Sequence, residues 1–219
     1  MRRDVVTSIL AIVVLTVLLG LVYPLVITGV SQVAFPGNAN GQKVYVNGKL
    51  VGSKIIGQAF VKPVIAKNGK PEEKEGEVVT EPDPRYFQSR PSATEGGAYN
   101  AAASTFSNRG PNDKATEKAD AENIKSYLEL EKPYDPGLTT AQIPVDAVNT
   151  SASNLDPEIS PANARIQAHR VAAKRQLALG VVDGLVSKYT ASRGLGFSGE
   201  PGVNVLELNL ALDRLGAGA

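Results

Sequence analysis

The N-terminal apolar run constrains everything that follows it. No charged side chain lies between Val5 and Gln42, and from Val5 to Ile27 the residues are mostly valine, leucine and isoleucine. As a helix rising about 1.5 Å per residue, that stretch is roughly 35 Å long, enough to cross a hydrocarbon core of about 30 Å. A cleaved secretory signal has a shorter apolar core, about 7–15 residues, followed by a small-x-small site. The sequence "SQVAFPGN" after Val30 offers no clean site of that kind. We therefore expect a retained anchor over residues 5–30, with residues 1–4 before it and a domain over residues 31–219. Gly20, Pro24 and Gly29 mark where the anchor can kink and where a neighbouring helix can approach closely. Tyr23 and Phe35 suit the far interface. Arg2 and Arg3 flank the near end, and the next basic residue is Lys43. The positive-inside rule then puts the N-terminus in the cytoplasm and residues 31–219 outside it.

Composition removes much chemistry. The chain has 219 residues, 23 basic against 22 acidic, so no global field points to nucleic acid. It has no cysteine and one histidine, which excludes disulfides, thiolate metal sites, a cysteine nucleophile and a histidine-rich metal centre.

The remainder reads as one mixed α+β domain. Asn47-Gly48 between short β-prone runs predicts a hairpin with a type I′ turn. Residues 61–84, rich in Lys, Glu, Gly and Pro, read as a solvated insertion loop. "RYFQSRPSA" from Arg85 to Ala93 crowds two aromatics and two arginines together, so Tyr86, Phe87, Arg90 and Pro91 form a candidate functional loop. The Gly- and Asn-rich "GGAYNAAASTFSNRGPN" follows, then an amphipathic helix in "DKATEKADAENIKSYLELEK". Ser160 is an N-cap with Pro161 at the first helical position. On that helix Ile166, Ala173 and Leu177 define an apolar face, with His169 at its edge and Gln167 and Arg170 toward solvent. Leu177, Val181, Leu185 and Tyr189 continue at helical spacing. "GLGFSG" from Gly194 to Gly199 matches a dinucleotide-binding glycine pattern in letters only. It follows a helical pattern with no βαβ unit around it, so a turn accounts for it. Asn204 with Glu207 caps a last helix whose stripe is Val205, Leu208, Leu212 and Leu215.

No motif supports catalysis. Asp156 and Glu158 are a lone acidic pair best read as turn and cap chemistry, too sparse for a calcium loop. Asn149 opens an "NTS" sequon that matters only in a secretory pathway. No nucleophile elbow, phosphate loop or phosphorylated-aspartate motif is present. From its residues the chain is a membrane-anchored, non-enzymatic domain.

Seven stretches carry a resemblance. They are "GLVYPLVITGVSQVAFPGNANG" (Gly20–Gly41), "GSKIIGQAF" (Gly52–Phe60), "YFQSRPSA" (Tyr86–Ala93), "YN" at Tyr99, "SNRGP" at Ser107, "SASNLDPEISPANARIQAHRVA" from Ser151 and "GEPGVNVLELNLALD" from Gly199. In this order, over nearly the whole chain, they resemble the C subunit of the bacterial Kdp potassium-transporting P-type ATPase. The resemblance implies a single-span accessory subunit in the bacterial plasma membrane. Its partners are a channel-like potassium-translocating subunit and a P-type ATP-hydrolysing subunit. ATP, Mg and K ions belong to the complex and none is a cofactor of this chain. It also implies an assembly role and a "catalytic chaperone" effect that raises the ATP affinity of the hydrolysing subunit. The resemblance further implies nucleotide or partner contact by the helix Ala162–Lys174, at Gln167 and Arg170. Glu158 and His169 stand where family members vary, so neither is a candidate. The competing reading is an extracytoplasmic binding or scaffold domain on an anchor, without an ATPase partner. Co-purification with the two other subunits separates the readings.

Overall fold

A computed structural model describes residues 1–94, 96–104, 110 and 112–216. The "SNRGP" stretch, Gly110 excepted, lies outside the described residues. The chain divides into two units, residues 1–53 and 54–219.

In the first unit, α1 (Arg2–Val17), a π-helical turn (Leu18–Val22) and α2 (Tyr23–Ala34) form one helix of 33 residues. An 18-residue stretch of it has a mean hydropathy of 2.9, and none of the helix's side chains is buried. It is long and apolar enough to cross a membrane, and it outruns residues 5–30 at both ends. The π turn follows from Pro24, which lacks the N–H that would bond the Gly20 carbonyl and whose ring crowds it. The turn widens, and the Tyr23 N–H bonds the Leu18 carbonyl five residues back. A short helix, α3 (Pro36–Ala39), leads into the antiparallel pair β1 (Lys43–Val46) and β2 (Lys49–Ser53). Asn47 and Gly48 both take positive φ, 49° and 77°, as the type I′ turn requires.

The second unit is α+β, as expected. Residues 61–82 correct one expectation, for they are not loop throughout. β3 (Val61–Pro63) pairs with β6 (Thr80–Pro82), and inside them β4 (Glu73–Lys74) pairs with β5 (Glu77–Val78). No residue of these nested hairpins is buried. Ladder bonds are backbone bonds, so a polar, solvated sequence can still make them.

After the 18-residue α4 (Lys114–Glu131) comes β7 (Glu158–Ile159), then α5 (Pro161–Arg175), α6 (Leu179–Lys188), β8 (Thr190–Ala191), β9 (Gly202–Asn204) and α7 (Val205–Gly216). The three strands form an antiparallel sheet in the order β7-β9-β8. Packed with it are Phe87, Ile159, Ala164, Ala168, Val171, Val182, Val186, Leu208 and Leu212. The caps stand where the sequence puts them. Ser160 Oγ accepts the Asn163 N–H at 3.1 Å and Asn204 Oδ1 accepts that of Glu207 at 3.1 Å.

The expected face of α5 is wrong. Its buried side is Ala164, Ala168, Val171 and Ala172, flanked by buried Asn163, Gln167 and Arg170. Ala173 is exposed, and Ile166 turns to a second cluster with Tyr127, Leu138 and Ala147. Small residues let α5 seat its backbone close to the core, so the bulky residue does not mark the inner side. On α6 the buried pair is Val182 and Val186, and Val181 is exposed. On α7 Val205, Leu208 and Leu212 are buried as expected, whereas Leu215 is exposed. His169 is exposed, at the helix edge as expected.

Candidate functional site: a polar clamp on residues 83–91

Segment 83–91 crosses the core without belonging to any helix or sheet, so its backbone groups need side-chain partners. Two amides supply them. Asn209 Oδ1 accepts the Phe87 N–H at 2.9 Å, and its Nδ2 donates to the Phe87 carbonyl at 2.9 Å. Gln167 does the same one residue later. Its Oε1 accepts the Gln88 N–H at 2.7 Å and its Nε2 donates to the Gln88 carbonyl at 3.0 Å. Each amide acts as a one-residue strand. The Phe87 ring is held fully buried between them.

Arg170 closes the clamp. Its Nη1 donates to the carbonyls of Pro84 at 2.7 Å and Tyr86 at 2.8 Å, its Nη2 to Gln167 Oε1 at 3.0 Å and its Nε to Glu131 Oε1 at 2.9 Å. Both members of the ion pair are buried, Arg170 at 0 % and Glu131 at 1 % relative exposure. Burial pushes the Glu131 carboxyl up from its ordinary value, and Arg170 draws it back. A second arm of the network runs outward. Gln167 Nε2 and the Tyr127 hydroxyl both donate to Asn163 Oδ1, at 2.9 Å each, and Asn163 Nδ2 donates to Asp146 at 3.0 Å. Burial raises the Tyr127 hydroxyl, which stays a neutral donor.

The rest of the candidate loop is held from other sides. Arg90 donates to Asp156 Oδ2 at 3.1 Å, Asn149 Oδ1 at 2.9 Å and the Thr150 carbonyl at 3.2 Å. The sequon asparagine and the acidic Asp156 are thus partners of one arginine, and Pro91 follows it beside a cleft. The Tyr86 ring stacks on Phe60 at 5.6 Å between centroids, with the Arg175 guanidinium 4.5 Å above it. The cleft, of about 240 Å³, opens beside Gln167 between α4 and the segment, lined by Gln88, Ser89, Pro91, Tyr127, Glu131 and Asn163 among others.

Gln167 and Arg170, expected toward solvent, are therefore buried. Solvent would serve them no better than these partners, since every polar atom of Gln167 is bonded at 2.7–3.0 Å. Tyr86, Phe87, Arg90 and Pro91 lie in the segment whose backbone these two side chains bond. Glu131, Asn163, Gln88 and Asn209 complete the clamp and escaped the sequence reading. A signal for one existed: Asn209 interrupts the apolar face of α7 next to Leu208 and Leu212. Gly20, Pro24 and Gly29 lie in the other unit. A Cβ at Gly20 would meet only the Thr16 methyl at 3.9 Å, and one at Gly29 nothing within 4 Å, so both are open to a neighbouring helix. Among the described residues no group of three or more His, Cys, Asp and Glu side chains comes together to hold a metal.

Comparison with known proteins gives the same picture along the whole length. Residues 5–214 match the family described as "K+-transporting ATPase, c chain". A potassium-transporting ATPase KdpC subunit of Methylococcus capsulatus is 46% identical over 208 residues, covering 95% of this chain and 96% of that one. The KdpC subunit of Koribacter versatilis is 44% identical, covering 97% and 95%, and that of Mycobacterium tuberculosis is 42% identical, covering 98% and 100%. The chain belongs to the KdpC family, the c chains of K+-transporting ATPases, and is an accessory subunit of a potassium pump, not its ATP-hydrolysing chain.

Proposed function

We propose that this subunit acts on ATP hydrolysis from a distance, as an assembly factor and catalytic chaperone whose effect on ATP affinity passes through its anchor and partner subunits. The partners are the channel-like potassium-translocating subunit and the P-type ATP-hydrolysing subunit. The observation that carries the reading is the state of Gln167. With 1% exposure and both ends of its amide bonded to Gln88, Asn163 and Arg170, it has no donor or acceptor left for a nucleotide. Arg170 is likewise spent on two carbonyls, an amide and a carboxylate. Their role is to hold the backbone of the candidate loop in place at Pro84, Tyr86 and Gln88, and a shift of the ATP-binding equilibrium then comes from conformational coupling between chains. Charge at Arg2 and Arg3, with none until Lys43, supports a cytoplasmic N-terminus and an extracytoplasmic domain in a bacterial plasma membrane. Gly20, Pro24 and Gly29 are the proposed packing points for a partner's helix.

The test uses the assembled pump. Gln167→Ala leaves the Gln88 backbone and one Arg170 donor without partners, which costs about 2–4 kcal/mol. The expected result is less complex recovered and a lower melting temperature, with the KM for ATP of the surviving complex within about twofold. A KM raised more than about tenfold at unchanged thermal stability, or photo-crosslinking of an ATP analogue to α5, would overturn it. Topology is read separately. The chain has no cysteine, so exposed His169→Cys provides a single thiol. It should react with a membrane-impermeant maleimide in intact spheroplasts, and reaction only after lysis reverses the orientation.

A further inference from the structure

The turn between β8 and β9 carries an apolar tip that the domain's own fold does not explain. Gly194 and Ser198 bond each other's backbone in both directions at 2.8 Å, and the Phe197 N–H donates to the Gly194 carbonyl at 3.2 Å. The central residues are Leu195 and Gly196, with φ of 52° and 82°. That is a type I′ turn, whose first central position favours asparagine or glycine and strains an ordinary side chain. Leucine stands there with 90% of its surface exposed, and Phe197 beside it is 75% exposed. The tip therefore bears both backbone strain and the hydration of two large apolar side chains. A local rule broken without compensation marks a functional contact.

We propose that this tip is a lipid-contacting finger that enters the headgroup–acyl boundary of the bilayer. Leu195 and Phe197 together offer on the order of 300 Å², against about 800 Å² per partner for a stable protein interface, so the tip is too small to dimerise the chain. A bilayer needs no complementary socket, and the 33-residue apolar helix of the same chain keeps one within reach, so a weak second contact gains from high effective concentration. Residues 188–200 carry Lys188, Arg193 and Glu200, a net charge of +1, with Arg193 paired to Glu200 at 2.7 Å and Lys188 exposed to an anionic surface.

The chain has no tryptophan, so Phe197→Trp installs a single tryptophan, excited selectively over the seven tyrosines, at an exposed position, and Val145→Trp, 70% exposed in the wild type, is the matched control. Each full-length variant is reconstituted alone into vesicles of phosphatidylcholine and phosphatidylglycerol, with and without brominated acyl chains. We expect emission at position 197 to be blue-shifted and quenched at least about twofold more than at position 145. Adding Leu195→Asn should reduce that quenching. Equal, weak quenching at both positions would overturn the proposal. Shielding of position 197 only in the assembled pump would also overturn it, in favour of a protein contact.

Discussion

Asp83 is almost fully buried yet charged, and its partner is two residues away. Arg85 donates to its carboxylate through Nε at 3.1 Å and Nη2 at 2.7 Å, and the Arg85 backbone N–H adds a third bond at 3.0 Å. The Arg85 side-chain bonds, above all, hold the carboxyl below its ordinary 3.8, against the cost of burial. A depressed carboxylate stabilises the fold fully above its unfolded value and loses that contribution as pH falls through its lower folded one. Because Arg85 is itself exposed, the contribution is only about 1 kcal/mol. Asp83→Asn should therefore melt about 2–4 °C below the wild-type chain at pH 7 in detergent, the gap closing as pH falls below the ordinary carboxylate range. A gap independent of pH would mean that the carboxylate's charge is not what matters. Of the clamp around this segment, only Gln167 and Arg170 were legible in the sequence, and their direction was not. Gln167, Arg170 and the Tyr86–Pro91 loop stand out by resemblance and crowding. Helical periodicity nevertheless sends Gln167 and Arg170 to solvent, because it counts hydrophobes and cannot see a backbone 79 residues away that needs an amide.

Elements specified by local chemistry were legible, and those specified by distant pairing were not. The Asn47-Gly48 turn, the Ser160 cap and the Asn204 cap depend on neighbours within a few residues, and all three stand as read. Strands β7, β8 and β9 have two or three residues each, too few for alternation to register, and they exist because helices cover the sheet they make. The nested hairpins over residues 61–82 were hidden for another reason, since with neither face buried they have no apolar pattern at all. That makes them removable. The Val64 N–H donates to the Val79 carbonyl at 2.9 Å, the geometry of a pair that a two-residue turn can close. Replacing residues 65–78 with Asn-Gly should leave the melting temperature within about 2 °C, because a shorter loop costs less closure entropy and no core contact is lost. A fall of more than about 5 °C would show that the excursion supports the core after all.

At the scale of the whole chain, the two units present different surfaces. Every residue of both apolar clusters lies between Phe60 and Leu212, so residues 54–219 contain their own core. The helix Arg2–Ala34 contributes nothing to that core and exposes its whole apolar surface. A helix like this gains little from hydrophobicity once in lipid, where hydrocarbon is as good a neighbour as leucine. Association there rests on close packing at small residues and on local backbone irregularities. The π turn at Leu18–Val22 and the open flanks of Gly20 and Gly29 are such features, within one membrane-length helix. Deleting residues 1–30 should then separate folding from assembly. The truncated chain is expected to be soluble, to keep its helical circular dichroism and to melt cooperatively, while failing to co-purify with the other pump subunits in detergent. Recovery of an intact pump with the truncated chain would move the assembly contacts into residues 31–219. Loss of the cooperative transition would instead show that the domain's core depends on the anchor, against the division seen in the fold.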